Sequence, residues 1–574
     1  MKFKGLQLPL ERYVFPVVLL LYPFFGVSRG LDIADTTYNL ANYRFAEGLD
    51  PMWYFSTFLG NLVGSIIMKL PGAGTMLGFG IYCTLLISAM ALLSYYALKR
   101  WMPGWMIFIG EFISESLCWS PRVILYNYLT YFLMTVGVIF FLYGMFSWKR
   151  QNLLLFLAGA CFGLNVLTRF PNILECTFIA VLIVYSAITK EKVTEALRKI
   201  GICVAGYIVG FGLPVLLISV RFGFSAYAEA ISSLFSMTEG ASDYSSGGML
   251  SSIIEAYITT SKNMMIMIPC AIAGIIMFLM AKGRYVLIKK FAFIAGLLVL
   301  ARYYFAQGVF TRNYYYYDCM FQVAMMFIII CVILSIIGAL GLLNGSKEEQ
   351  TLAFTALMLI LITPIGSNNY TFPVLNNLFI AAPICLWLLR RLMQRLGEGE
   401  WNFPWQALAT GVIVMLIVQG AIFHVRFSFA DRDNKDAVLD TKITDIAIAR
   451  GMRTTKENYD SLMELNGCIK DNGISAGKIL VFGDIPGIPY IFDIDPAIST
   501  TWPDLDSFSV ESFRTELDKL EKSKDPNPTV VLGADMVERA NNSEKYDMLM
   551  DYIGKHDYNI IFESDRFTVY AALK

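Results

Sequence analysis

The sequence predicts a polytopic α-helical membrane protein of about 13 transmembrane helices, followed by a C-terminal extracytoplasmic α/β domain. Of 574 residues, 56% are hydrophobic and 16% are charged, whereas soluble domains carry about a quarter charged residues. The 46 basic and 46 acidic residues cancel, yet residues 430–574 alone carry a net charge of −10. The zero net charge is therefore the sum of a basic membrane part and an acidic tail. The chain as a whole has no excess of basic residues that would indicate binding to nucleic acid.

Apolar runs mark the predicted spans. A membrane-crossing helix needs about 20 mostly apolar residues. The first run follows Lys2, Lys4 and Arg12 and lacks a convincing cleavage site, which favours an uncleaved signal-anchor. Thirteen runs qualify: 12–28, 75–98, 104–119, 125–147, 152–169, 172–189, 199–220, 263–281, 286–304, 318–343, 350–365, 372–390 and 406–425.

Basic residues in the short loops set the predicted orientation. With a cytoplasmic N-terminus, clusters such as Lys99-Arg100 and Lys149-Arg150 fall on the cytoplasmic side, immediately beside a span. An odd number of spans then places the tail outside. The absence of organelle signals and cysteine frameworks suits a bacterial cell membrane.

The chain divides into residues 1–428, a transmembrane domain with a long first outside loop at 29–74, and residues 429–574, a soluble extracytoplasmic α/β domain. Within the tail, Lys478–Phe482 and Thr529–Gly533 are short buried-strand patterns. Residues 558–562 and 567–571 predict a closing hairpin, and residues 509–522 and 543–555 have helical spacing. A tail of about 145 residues is long enough for a core of its own.

Histidine and cysteine usage excludes several kinds of chemistry. The only histidines are His424 and His556, so we do not expect a multi-histidine metal site or a histidine-based triad. Nine of ten cysteines lie in the hydrophobic part, and Cys468 stands alone in the tail. The tail therefore cannot form an internal disulfide, and the sequence contains no CxxC pair that could bind a metal.

The first outside loop carries the main candidate site. Asp32 and Asp35 are three residues apart, and Tyr38 continues the same face if the segment is helical. A carboxylate at the outer membrane boundary suits a general base or a metal ligand. The alternative is that the aspartates occupy the first turn of a helix, which aspartate favours.

Further outside segments supply candidate substrate-binding residues, each with a structural alternative. Arg169 ends the fifth predicted span, where a snorkelling arginine is equally expected. Arg302 and Arg312 lie among tyrosines that suit an interfacial belt, although arginine can also pair with phosphate. Asn368 and Asn369 end another outward span, where amides bind a sugar or phosphate, or satisfy a frayed helix end.

Two intramembrane patterns have predicted structural roles. Gly159-x-x-x-Gly163 and Gly206-x-x-x-Gly210 indicate closely packed helices. Glu111 and Glu115 share a helix face, and they predict either a proton path or a buried pair with an arginine.

Together these features resemble the GT-C superfamily of integral membrane glycosyltransferases. Asp35-Thr-Thr-Tyr38 is similar to the Asp-Glu-x-x-Tyr type motif of the first outside loop in its aminoarabinose and protein mannosyl transferase branches, with Thr36 where a glutamate often stands. In the tail, residues 483–496 resemble the strand–turn segment of soluble domains in bacterial members. The subfamily is not assigned.

The resemblance implies a polyprenyl-phosphate-linked sugar donor, an acceptor glycan, lipid or protein on the extracytoplasmic face, contact with membrane lipids, and inversion at the anomeric carbon. It implies Asp35 as general base, with Asp32 as a second acid or a ligand of a divalent cation. Members differ in metal dependence, so no cofactor is assigned. By position, Arg169, Arg302 and Arg312 are candidates for neutralising the leaving phosphate.

Two other functions compete with this hypothesis. A transporter or lipid flippase would show paired broken helices in two matching halves, and the sequence contains no such pairing. A non-catalytic envelope scaffold would use the acidic tail to bind partners, and the paired aspartates would be dispensable.

Overall fold

The structure is a computed structural model. It describes residues 9–49, 55–118, 121–147, 149–238, 246–279, 285–367, 369–397, 405–429, 438–505, 507–534 and 543–572. The part up to residue 429 is mostly helical, and a mixed sheet with flanking helices forms the part after it.

Most helices of the first part follow the apolar runs of the sequence. They are α1 (Phe15–Leu21), α2 (Asp35–Arg44), α3 (Phe58–Met68), α4 (Met76–Leu98), α5 (Gly104–Leu117), α6 (Leu125–Phe146), α7 (Gln151–Asn165), α8 (Ile179–Thr189), α9 (Val193–Phe222), α10 (Ala226–Thr238), α11 (Ser246–Met265), α12 (Met267–Leu279), α13 (Val286–Ala306), α14 (Phe321–Ala339), α15 (Lys347–Ile362), α16 (Phe372–Leu375), α17 (Ala381–Gly397) and α18 (Trp405–Arg426). Helices α2, α3 and α10 and most of α11 lie outside those runs. Shorter 3₁₀ and π turns extend α1 at both ends and precede α8 and α14.

Within the described residues, six helical segments are long and apolar enough to cross a membrane. They are Met76–Leu98, Leu125–Phe146, Phe170–Thr189, Val193–Phe222, Tyr317–Ala339 and Ala409–Arg426. Some other predicted spans coincide with shorter helices, such as α5 with 14 residues and α7 with 15, while α13 has 21 residues. The structure thus supports several spans, and the total of 13 stays a prediction.

Caps and small residues explain the helix ends and packing. The Thr75 hydroxyl accepts a hydrogen bond from the Gly78 N–H at 3.1 Å, which satisfies a donor at the start of α4. Ser346 and Glu349 form a capping box at the start of α15. A Cβ on Gly159 would lie 1.9 Å from the Cys203 carbonyl oxygen, and one on Gly206 would lie 2.0 Å from that of Phe156. The predicted close packing of glycines therefore joins α7 to α9.

The buried glutamates of α5 do not form an arginine pair within the described residues. Glu111 and Glu115 are both fully buried, and neither carboxyl group has a hydrogen-bond partner in that part of the chain. The predicted buried pair between these glutamates and an arginine is therefore not observed in the described part of the chain.

The C-terminal part contains β1 (Thr441–Lys442), β2 (Arg453–Thr454), β3 (Lys478–Phe482), β4 (Asp495–Pro496), β5 (Thr529–Gly533), β6 (Tyr558–Glu563) and β7 (Phe567–Ala572), with helices α19 (Lys456–Asp471), α20 (Ile488–Phe492), α21 (Val510–Lys522) and α22 (Ser543–Lys555). The main sheet has the order β4-β3-β5-β7-β6. Strand β3 is parallel to β4 and β5, while β7 is antiparallel to β5 and β6.

The two faces of this sheet pack on different partners, because neighbouring residues of a strand point to opposite faces. Leu480 and Phe482 pack with apolar side chains of α21 and α22. Ile479 and Val481 join a cluster that includes Leu40 of α2. The predicted self-contained core therefore covers one face of the sheet, and the other face shares its core with the first outside loop.

Main-chain bonds fix this loop to the C-terminal domain. The Gly487 N–H donates to the Ile33 carbonyl at 2.9 Å, and the Gly30 N–H donates to the Arg453 carbonyl at 2.9 Å. Arg44 at the end of α2 binds Asp493 through two hydrogen bonds of 3.0 and 3.1 Å. The domain is thereby docked against the segment that carries the candidate aspartates.

Candidate active site

Asp32 and Asp35 have different structural roles. Helix α2 begins at Asp35, so Asp32 precedes the helix and the two do not share a helix face as predicted. The Asp32 carboxylate is 4% exposed and accepts hydrogen bonds from the Ala34 N–H at 3.0 Å and the Thr36 N–H at 2.6 Å. Asp32 thus satisfies N–H groups at the helix start, which is the structural alternative that the sequence left open.

The Asp35 carboxylate faces open space within the site. Among the described residues, no N–H or O–H group donates a hydrogen bond to it. Its residue surface remains accessible, but the access is to two cavities between protein walls. Removal from bulk water, followed by the charges of Asp32 and Asp484, raises the pKa of Asp35 to about 7. This carboxyl group therefore changes charge near neutral pH.

Arg169 is placed by two segments that meet near the ends of α7 and α15. It lies in extended conformation after α7, and its Nη2 donates to the Ile365 carbonyl at 3.2 Å. Gly366 has φ of +77°, and a Cβ there would lie 2.3 Å from Pro171 Cβ. The glycine permits this close approach, so the predicted regions around Arg169 and around Asn369 form one surface.

A buried polar network supports the segment that carries Arg169. The Asn165 side-chain amide donates to the Thr130 carbonyl at 3.0 Å and to Glu175 Oε1 at 2.7 Å. Asn172 Nδ2 donates to Thr130 Oγ1 at 2.8 Å. These bonds attach both ends of the turn containing Arg169 to α6, so the backbone that presents the guanidinium is fixed.

A mainly apolar cavity of about 650 Å³ lies on one side of Asp35. Its apolar wall comes from the segment after Arg169, from α10 and α11, and from the C-terminal domain. The residues that form this wall include Ile173, Leu174, Leu234, Phe235, Met249, Leu250, Ile253, Trp502 and Leu505. A cavity of this size and lining accommodates a hydrocarbon chain.

A more polar cavity of about 450 Å³ lies on the other side. Asn127, Tyr131, Ser367, Asn369 and Asn376 contribute polar groups to it. Asp35, Tyr126, Arg169 and Gly366 line both cavities. Among the described residues lining either cavity, Asp35 is the only acidic side chain and Arg169 the only basic one, and each of them lines both cavities.

The structure brings together some of the predicted site residues and separates others. Tyr38 lines the apolar cavity, and Asn369 lines the polar one. Arg302 and Arg312 are exposed and line neither, and the Arg312 guanidinium lies 5.5 Å from the centre of the Phe305 ring. Asn368 lies outside the described residues. Their roles remain predictions.

A divalent cation does not fit Asp32 well. Both of its oxygens already accept main-chain hydrogen bonds. Within the part of the chain that the structure describes, no group of three or more His, Cys, Asp or Glu side chains is placed to hold a metal ion.

Sequence reasoning did not find Tyr126, Asp484 and Trp502. Tyr126 follows a loop without a distinctive motif, so nothing in the sequence marks it. Asp484 ends the buried-strand pattern of β3, and ligands commonly bind at the carboxyl ends of parallel strands. Trp502 is the only tryptophan of residues 429–574. A single tryptophan in an acidic tail was therefore a usable signal.

The fold and the site define a multi-span membrane protein whose α/β domain covers an aspartate–arginine site beside an apolar cavity. Over 100% of both chains it is similar to ArnT from Cupriavidus metallidurans bound to undecaprenyl phosphate, with 12% identity and a TM-score of 0.49. It is also similar to the Archaeoglobus fulgidus oligosaccharyltransferase tethered with an acceptor peptide, with 13% identity, a TM-score of 0.47, and 100% of this chain and 75% of that one covered.

Archaeoglobus fulgidus AglB in complex with an inhibitory peptide and a dolichol-phosphate gives 12% identity and a TM-score of 0.46, over 98% of this chain and 75% of that one. These similar proteins are GT-C membrane glycosyltransferases. No protein-family model and no curated protein matches the chain. At such low identity the role of each residue rests on the geometry of this site.

Proposed function

We propose that this protein is a glycosyltransferase that moves a sugar from a polyprenyl-phosphate donor to an acceptor on the extracytoplasmic face, with inversion. The observation that carries the proposal is the position of Asp35 and Arg169 at the wall shared by the two cavities. The acceptor is a glycan, a lipid or a protein, and it enters through the polar cavity.

The donor occupies the apolar cavity in this proposal. Leu234, Phe235 and Leu250 belong to helices that present apolar surface to it. Transfer of a prenyl chain from water to such a wall is favourable by about 25 cal/mol per Å² of buried surface. Within the described residues the Arg169 guanidinium donates one hydrogen bond to protein, from Nη2 to Ile365, and its Nε is buried. The other N–H groups of Nη1 and Nη2 would bind the donor phosphate.

The reaction then balances with the two charged side chains. The acceptor O–H gives its proton to the Asp35 carboxylate while its oxygen attacks the anomeric carbon. The bond between that carbon and the phosphate oxygen breaks, and polyprenyl phosphate leaves with its negative charge held by Arg169. Attack from the face opposite the leaving group inverts the anomeric centre.

The experiment supplies purified protein with polyprenyl-phosphate hexose that carries a radiolabelled sugar, together with candidate glycan, lipid and peptide acceptors. We expect labelled product and free polyprenyl phosphate in equal amounts, with the anomer inverted by NMR. Failure to bind the donor and to consume it with every acceptor would contradict the proposal. Product with retained configuration would contradict the single-displacement mechanism.

A further inference from the structure

A segment of the C-terminal domain lies over the apolar cavity. It is called the roof loop here and comprises residues 500–505 and 507–508. Trp502, Leu505 and Ser507 line the cavity together with Asp35 and Tyr38. The soluble domain therefore supplies part of the surface that faces the donor.

The roof loop is held by a buried lysine. Lys545 of α22 is 2% exposed, and its Nζ donates to the Pro503 carbonyl at 2.9 Å and to the Leu505 carbonyl at 3.0 Å. These two carbonyls flank Asp504, whose carboxylate is 5% exposed and accepts from the Asp484 N–H at 2.8 Å. Burial of a lysine is unfavourable unless its charge is paired and hydrogen-bonded, so this arrangement fixes the backbone of the loop.

The anchored loop presents an aromatic corner to the cavity. The Trp502 and Tyr38 rings meet edge to face, with 5.2 Å between their centres. Asn42 and Ser507 line the same cavity. Aromatic rings beside amide and hydroxyl groups suit a sugar ring, because its C–H faces pack on aromatic carbon while its hydroxyl groups form hydrogen bonds.

We propose that Trp502 contacts the sugar ring of the donor and that Lys545 is a positioning residue that holds the roof loop over it. The proposal rests on the proposed function and adds a sugar subsite formed by the soluble domain. Arg169, in contrast, contacts the phosphate that every such donor carries. The two residues therefore make different predictions for donors with and without a sugar.

The test measures the affinity of full-length protein for bare polyprenyl phosphate and for polyprenyl-phosphate glucose and mannose. We expect at least one hexose probe to bind more tightly than the bare phosphate. Trp502→Ala should lower the affinity for that hexose probe by about three- to tenfold and leave the affinity for bare polyprenyl phosphate unchanged. Trp502→Phe should retain most of the affinity for the hexose probe. Trp105→Ala is the control, because Trp105 lines neither cavity.

A second arm tests the positioning role. Lys545→Met should cause the same selective loss as Trp502→Ala, and the double variant should bind no worse than Trp502→Ala alone, because both changes remove one contact. Lys519→Met is the control, since Lys519 is an exposed lysine on the adjacent helix α21. If Lys545→Met does not fold, the Trp502 variants still decide the sugar contact.

The results separate the proposed function, the sugar subsite and the role of Lys545. If the parent binds none of the probes, the proposed function fails. If the parent binds the probes but no hexose more tightly than bare phosphate, or if Trp502→Ala affects both kinds of probe equally, the sugar subsite fails while the proposed function stands. Additive losses in the double variant would overturn the role of Lys545.

Discussion

At the scale of single residues, two aspartates three positions apart have separate roles. Asp32 has its carboxylate bound to main-chain N–H groups, while Asp35 has no such donor among the described residues and stands beside Asp484. The difference arises because helix α2 begins at Asp35, so Asp32 precedes the helix and Asp35 is its first residue. Spacing alone predicted one shared site for both aspartates, but only Asp35 lines the two cavities, and spacing could not predict which carboxylate would be bound by main-chain N–H groups.

The pKa of Asp35 predicts how the rate depends on pH. A general base acts in its deprotonated form, so kcat/KM should rise with pH and level off above a pKa of about 7. The negative charge of Asp484 contributes to raising that pKa. Asp484→Asn should therefore move the rising limb to lower pH, and asparagine tolerates the φ of +59° at this position.

The control for this pH profile is Asp493→Asn. Asp493 also has a positive φ, at +54°, but it pairs with Arg44 and is not among the charges that raise the pKa of Asp35. Its substitution should leave the limb in place. A limb that stays fixed in Asp484→Asn, or moves to higher pH, would show that Asp35 is not the titrating base.

Arg169 carries the second residue-scale prediction. Loss of a charge-assisted contact to phosphate costs about 1.5 to 3 kcal/mol, so Arg169→Ala should raise the Kd for polyprenyl phosphate by roughly tenfold or more. Arg312→Ala should have little effect, because Arg312 lines neither cavity. Equilibrium binding measures both variants. A larger loss of affinity in Arg312→Ala than in Arg169→Ala would move the phosphate site to Arg312, which the sequence also suggested.

At the scale of elements, glycines decide which helices can approach. Gly206 of α9 faces the Phe156 carbonyl of α7, whereas Gly212 on the same helix has no atom within 4 Å of a built Cβ. Gly206→Leu should destabilise the protein by at least about 1 to 3 kcal/mol through overpacking. Gly212→Leu should leave thermal stability unchanged, and equal effects of the two substitutions would contradict the assigned packing.

The joint between α2 and the C-terminal domain depends on another glycine. A Cβ on Gly487 would lie 1.8 Å from Thr37 Oγ1 and 2.7 Å from the Ile33 carbonyl oxygen. Gly487→Ala should therefore displace the domain and lower both thermal stability and transfer rate. Gly477→Ala is the matched control, because its nearest atom would be 3.6 Å away. Normal activity in Gly487→Ala would show that docking on α2 is not needed.

The elements also show how far sequence patterns reach. The strand patterns at Lys478–Phe482 and Thr529–Gly533 were predicted with their observed bounds, because buried strands are short apolar runs between turn residues. Helix α20 and strand β4 were missed, since at five and two residues they are too short for a period to be recognised. The missed helix α20 matters for the candidate site, because it packs on α2, the helix that begins at Asp35.

At the scale of the whole molecule, the two parts carry opposite net charges, yet they do not fold as two separate units. The structure changes near residue 429 from mostly helical to a mixed sheet with flanking helices, but one face of that sheet packs against the segment 29–74 of the helical part. Basic residues in the short loops predict which side of the membrane each part occupies, and this orientation stays a prediction. They could not predict that the roof loop would reach the cavity of Asp35, because that contact joins residues far apart in the chain.

The central claim is that Asp35 is the base of a sugar transfer at the wall between two cavities. The most direct measurement compares the parent with Asp35→Asn for both sugar transfer and donor binding. We expect the variant to retain donor affinity and to lose about 10²- to 10⁴-fold in kcat, the usual contribution of a general base. Transfer by Asp35→Asn at the rate of the parent, with donor bound equally well, would contradict the claim.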